Sequence, residues 1–193
     1  QRHYWVPPSV VAAWAFLPLM LTTLRGQPLE IGGLILTIAS LGWTFGSWMQ
    51  SQAWMRLSRD RILTVGAACT STGFAFVGLS VFLPVIPIVG VGAAATLAGI
   101  GMGLGQSSQN ILVMLLSDDA QLGRNMSALQ VGESVGSSTI AGLAGIPFAY
   151  LQADQTAAFG VPLVLVTIGA ALGLLASRRV GFAKNLALEG DAS

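Results

Sequence analysis

Ile88–Leu116 reads IVGVGAAATLAGIGMGLGQSSQNILVMLL, without a single Asp, Glu, Lys or Arg. A helix crosses the hydrocarbon core of a bilayer in about 20 predominantly apolar residues. This stretch is long enough to do so, and its composition suits lipid as a solvent. Five further stretches of the same kind run over residues 4–24, 31–53, 62–83, 125–151 and 158–177. The connections between them are short, as antiparallel neighbours require. The pattern predicts an all-α membrane protein of six transmembrane helices, followed by a polar cytoplasmic tail over 178–193.

Composition points the same way. Of the 193 residues, 53% are hydrophobic and only 9% are charged, against roughly 25% charged in a soluble domain. Mean hydropathy is +0.72. The net charge of +1 gives no electrostatic footprint for nucleic acid. Cys69 is the only cysteine, so there is no disulfide framework and no cysteine metal site. The only histidine, His3, stands near the first residue with no second ligand beside it, so neither a metal centre nor a Ser/His/Asp set is expected. The glycines around Gly101 do not open a helix after a strand, and no phosphate-binding loop occurs. No catalytic residue and no cofactor is therefore expected. The chain begins at Gln1 and enters an apolar stretch at once, without a cleavable leader pattern. It is expected to be a piece of a longer protein.

Basic residues set the expected orientation, because Lys and Arg concentrate in cytoplasmic loops. Six spans place Arg2, Arg56, Arg59, Arg61, Arg124, Arg178, Arg179 and Lys184 on one side and leave only Arg25 on the other. Both termini and the loops after the second and fourth helices are thus expected in the cytoplasm. Trp5, Trp48 and Trp54 lie near span ends, where aromatic rings anchor at headgroups. Trp14 and Trp43 lie deeper and are open to three roles: facing lipid, packing between helices, or lining a cavity.

Glycines recur four apart at Gly42 and Gly46, Gly99 and Gly103, Gly101 and Gly105, Gly132 and Gly136, and Gly169 and Gly173. This spacing lets helix backbones approach closely in a membrane. The run from Gly99 to Gly105 also makes the fourth helix easy to bend. Close packing and flexibility both account for it.

Glu133 is the outstanding ionisable residue inside a span. Bilayer interiors penalise charge, and intramembrane carboxylates face a bundle interior or a wet cavity. Ser127, Gln130, Glu133, Ser134 and Ser137 recur at spacings of three and four, which places them on one polar stripe. On the fourth helix Gln106, Gln109 and Asn110 share a face by the same rule. Such amides either hold helices together or line a substrate path. On the second helix Gly42, Gly46 and Gln50 share a face; Gln50 and Gln52, near the cytoplasmic end, are also open to a simply interfacial role.

One family resembles this arrangement. GSWMQSQAWMRLSRDR, Gly46 to Arg61, is similar to the glycine-plus-basic loop joining the second and third helices of each half of a major facilitator superfamily transporter. GIGMGLG (Gly99 to Gly105), SDDAQLGRNMSALQVGESVGSS (Ser117 to Ser138) and the leading segment Ala13 to Ser47 resemble the C-terminal half of actinobacterial-type drug/proton antiporters. The loop departs from the family pattern in lacking an acidic residue over 50–53. The resemblance implies two inverted three-helix repeats, helices one to three and four to six, making half of a twelve- or fourteen-span protein.

It further implies a proton-coupled exporter of small organic molecules or drugs in the plasma membrane. Glu133 would be the proton-linked acid. Trp43, Gln106, Asn110 and Gln130 would line the substrate cavity. Gly46, Arg56, Arg59 and Arg61 would form a cytoplasmic gating loop. The implied partners are the bilayer, protons, a small organic substrate, and either the missing N-terminal half or a second copy of this chain. A membrane protein with a structural or assembly role and no transport of its own, or a truncated product, is the alternative. A membrane-embedded enzyme is not expected, because Asp118 and Asp119 make too thin a cluster.

Overall fold

The computed structural model describes residues 9–52, 57–118, 120–151 and 154–190. Within them the chain forms six helices: α1 Ser9–Arg25, α2 Leu29–Met49, α3 Arg59–Phe82, α4 Ile88–Leu116, α5 Leu122–Tyr150 and α6 Gln155–Gly190. Four of them are long and apolar enough to cross a membrane: α2, α3 over Arg61–Phe82, α4 over Ile88–Leu115, and α6 over Gln155–Leu172. This marks an all-helical, membrane-embedded protein. α1 contributes a shorter apolar stretch, Phe16–Arg25, and the first residues of the span expected there lie outside the described ones. The polar stripe of α5 dilutes its hydropathy.

Turn chemistry sets where the helices begin and end. Gly26 adopts φ +58°, a left-handed conformation that costs glycine little and stops α1. Pro28 and Pro87 stand immediately before α2 and α4 in extended conformations, where the absent N–H is not needed by the helix. α6 behaves differently from expectation. The apolar sequence gives way to Arg178 and Arg179, yet the helix continues to Gly190. The segment 178–190 expected as a tail is rich in Ala, Leu, Lys and Arg, which favour helix whatever the solvent.

α4 is the central element and packs on both α2 and α3; α3 also packs on α6. The glycines make this possible. Successive residues on a helix turn by about 100°, so residues two apart point in nearly opposite directions. Added Cβ atoms at Gly99 and Gly103 would strike the α2 backbone at Ala39 and Trp43 respectively. One at Gly101 would lie 2.5 Å from Gly66 O and Thr70 N of α3. The alternating glycines thus serve two interfaces at once, and α4 runs unbroken through them. Below this seam the core joins Met20 and Leu21 of α1, Ile35 of α2, Phe74 and Val77 of α3, Val91 and Ala98 of α4, and Phe159 and Leu163 of α6. Trp14 packs between helices: its indole N–H donates to Met102 Sδ at 3.2 Å and its ring meets Phe74 edge-on. Leu34, Ile38, Leu41 and Phe45 make an exposed apolar face on α2, of the extent a lipid environment would cover.

Arg25, alone on its side of the charge pattern, has a structural task. Its guanidinium donates to Ser80 O at 2.5 Å, Leu83 O at 3.3 Å and Ile86 O at 2.5 Å. Two of these carbonyls belong to the last turn of α3 and its cap, where no intrahelical donor is left. Hydrogen bonds to a charged donor are each worth roughly 1.5–3 kcal/mol, less where water competes. Arg25→Gln is expected to lower the thermal midpoint in detergent by several degrees and to free the α3–α4 turn for proteolysis. An unchanged midpoint and digestion pattern would remove Arg25 from this role.

Candidate functional site

α5 contributes no residue to the core among the described residues. Its packing is on α1, α6 and, more narrowly, α4. Consequently most of its polar stripe stays open: Ser127, Gln130 and Ser134 are exposed, while Glu133 and Ser137 are half-buried. Small polar side chains and glycines give this helix little apolar area with which to hold the bundle. A helix kept at the margin in this way presents its polar face to whatever lies beside the bundle.

Glu133 faces α4. It lies about 16 Å along α5 from Leu122, taking 1.5 Å per residue. Gln109 Nε2 donates to Glu133 Oε1 at 3.1 Å, the only side-chain hydrogen bond to that carboxyl among the described residues. Ser137 Oγ donates to Glu133 O one turn on, at 2.7 Å, which is local to the helix. Gln109 is almost wholly enclosed, at 1% exposure, and its Oε1 has no partner. The site is therefore an acid at the edge of the bundle, backed by a buried amide.

The other residues expected at a cavity wall do not converge on one another within the chain. Asn110, Gln130 and Trp43 are exposed and Gln106 is half-buried. Among the described residues Gln106, Asn110 and Gln130 make no side-chain hydrogen bond. Their polar groups remain available to a molecule or surface beyond this bundle. The open cleft beside Arg25, near Pro84 and Ile88, lies about 30 Å from Gln109 along α4 and is unrelated to Glu133.

At the far end of α2, Gly46 is buried, with Ile100 of α4 where its side chain would be. Arg61 is exposed and makes no ion pair among the described residues, and Arg59 opens α3. Arg56 lies outside the described residues. Gln50, on the face of Gly42 and Gly46 and not simply interfacial, is 7% exposed and its Oε1 accepts from Ser108 Oγ of α4 at 3.3 Å. Ser47 Oγ and Ser107 Oγ lie 3.4 Å apart on the same seam. Glycine-driven closeness explains this burial: once the α2 and α4 backbones touch, short polar side chains above the glycines are sealed between them.

Sequence spacing put Gln106, Gln109 and Asn110 on one face but did not single out Gln109. One stripe on a helix spans more than one neighbour, and only the position of α5 selects the inward amide. No protein-family model matches the chain, nor does any curated protein or solved structure.

Proposed function

We propose that this chain is the C-terminal six-helix half of a proton-coupled secondary transporter of the major facilitator kind, exporting small organic molecules across the plasma membrane. Glu133 is the proton-linked acid in this reading. All six helices span, both termini are cytoplasmic, and the chain is a transporter half, not an enzyme. The observation that carries the proposal is the placement of Glu133: the one acid of a helix whose described residues lie outside the core, hydrogen-bonded on one side and flanked by exposed polar groups on the other. An idle carboxyl in a bilayer is costly, whereas one that takes and returns a proton repays its position.

Helix pairing supports the inverted repeat. Exchanging α1–α3 with α4–α6 turns α1 on α6 into α4 on α3, α1 on α5 into α4 on α2, and α1 on α2 into α4 on α5; all six pairings occur. α3 on α6 maps onto itself, and only α5 on α6 lacks a comparable counterpart. In such folds the substrate lies near mid-membrane between two halves. Trp43, Gln106, Asn110 and Gln130, unsatisfied within this bundle, then form one wall of that cavity. The loop with Gly46, Arg56, Arg59 and Arg61 lies on the cytoplasmic side. The bilayer, protons, an organic substrate and a second six-helix unit are the partners.

The test is proton-gradient-dependent flux of fluorescent organic cations in sealed vesicles, comparing this chain alone with the full-length gene product. Flux from the full-length product only is the expected result. Flux from this chain alone would mean that two copies assemble the cavity. Flux from neither would count for a membrane protein with a structural role.

A further inference from the structure

We infer that Gln109 is a positioning residue that follows the protonation state of Glu133 by turning its amide, so that the buried end of that amide is held in reserve for the protonated acid. The inference rests on the reading of Glu133 as the proton-linked group. It starts from two facts about one side chain: Nε2 donates to Glu133 Oε1 at 3.1 Å, and Oε1 is buried with no donor. Buried polar atoms are almost always paired, and an exception calls for an explanation.

The chemistry of the partner supplies one. An ionised carboxylate only accepts, so it is served by the amide N–H of the present arrangement. A protonated carboxyl carries an O–H that needs an acceptor, and among the described residues no other side chain is bonded to the Glu133 carboxyl. A half-turn about the last torsion of Gln109, which is broad and roughly two-fold, puts Oε1 where Nε2 now stands. The O–H of Glu133 then donates to it over the same separation. Either orientation leaves one end of the amide unpaired inside the bundle, so the two differ mainly in what they offer Glu133. The proton itself comes from water on the open side of α5, binds a Glu133 oxygen, and returns to water when that O–H bond breaks.

Among the described side chains no other charge competes for this role. α4 contains no titratable residue, and α1 holds only Arg25, which is bonded to carbonyls at the end of α3. The described side chains of α6 include none. On α5 itself, Tyr150 is at the far end and Arg124 is bonded to Gln121 Oε1. Among the described residues the amide is thus the one group on the bundle side able to register whether Glu133 is charged. Because it joins a core helix to the marginal one, the contact between α4 and α5 survives in both states.

Infrared difference spectra between acid and alkaline pH test this, on the full chain in lipid vesicles with glutamine side-chain amides isotopically labelled. Glu133→Gln assigns the carboxyl band and Gln109→Met assigns the amide band. The expected result is a glutamine amide shift that titrates together with the Glu133 carboxyl band and is lost in both variants. Should Gln109→Met fail to fold, the labelled wild type compared with Glu133→Gln still decides. A carboxyl band that titrates while every glutamine amide stays unmoved overturns the inference and leaves the proposed function standing. No titrating carboxyl band removes both.

Discussion

Replacing Gly103 with leucine is expected to prevent the bundle from assembling, so that the protein is lost as a monodisperse species in detergent. A Cβ at this position meets the carbonyl oxygen of Trp43, lies 2.7 Å from Ser47 N and 3.1 Å from Gly46 C. These are backbone atoms and cannot step aside as a side chain tip would. Overpacking costs typically 1–3 kcal/mol where neighbours are able to yield, and here the two helices must separate. Opposing this, the gain from replacing glycine inside a helix is only about 1 kcal/mol, so the clash decides the sign. Separation would also pull Ser108 from Gln50. Gly103→Ala should already lower the thermal midpoint. Gly142→Ala is the internal control: that position on α5 is exposed and open, with nothing within 4 Å of the added carbon, and it should be neutral or slightly stabilising. If Gly103→Leu matched the wild type in thermal midpoint and elution, the tight α2–α4 seam would not be what holds the bundle.

Glu133→Gln in the intact protein should abolish uphill, proton-driven transport while leaving downhill equilibration of substrate, which should no longer depend on pH. Glutamine keeps the size and hydrogen-bonding capacity of a protonated carboxyl but cannot release a proton. The exchange therefore separates coupling from folding better than alanine does. It also keeps an acceptor and a donor opposite Gln109, so the α4–α5 contact made at 3.1 Å in the parent has a counterpart. The measurement is counterflow and gradient-driven flux of a fluorescent organic cation across a range of pH. Unchanged proton-coupled transport in the variant would remove Glu133 from the mechanism.

The two substitutions probe different parts of one division in the molecule. α2, α3 and α4 close around glycines and small residues, and α1 and α6 complete the core. α5 lies against this body with its polar stripe open. A tight body beside a marginal polar helix is the arrangement expected where one surface must meet a changing partner. Packed interiors resist continuous deformation, so the marginal helix is where adjustment costs least.

Much of this was legible in the residues. The stretch Ile88–Leu116 required a helix of membrane length, and the helix appears over those residues. The glycine periodicity pointed to close approach; Gly42, Gly46, Gly99, Gly101 and Gly103 lie against neighbouring backbone, whereas nothing lies within 4 Å of a Cβ added at Gly105 or Gly132. Glu133 stood out because a carboxyl in an apolar stretch is conspicuous in any arrangement. Gln50 shared a face with Gly42 and Gly46 in the sequence, but the partner that encloses it was not legible. The sequence flanking Gln50 is that of a span end, and its enclosure depends on Ser108, 58 residues away.

Local composition and spacing were therefore enough to determine the solvent, the helices, and which residues share a stripe, since each depends on neighbours within a turn or two of the chain. What stands opposite a stripe depends on helices distant in sequence. Only the tertiary structure decided that Gly99 and Gly103 meet α2 while Gly101 meets α3. It alone left the described residues of α5 outside the core and chose Gln109, not Gln106 or Asn110, as the amide that meets Glu133. The reason is geometric: a helix fixes the angle between its own side chains, but the direction of each toward a partner is set by packing.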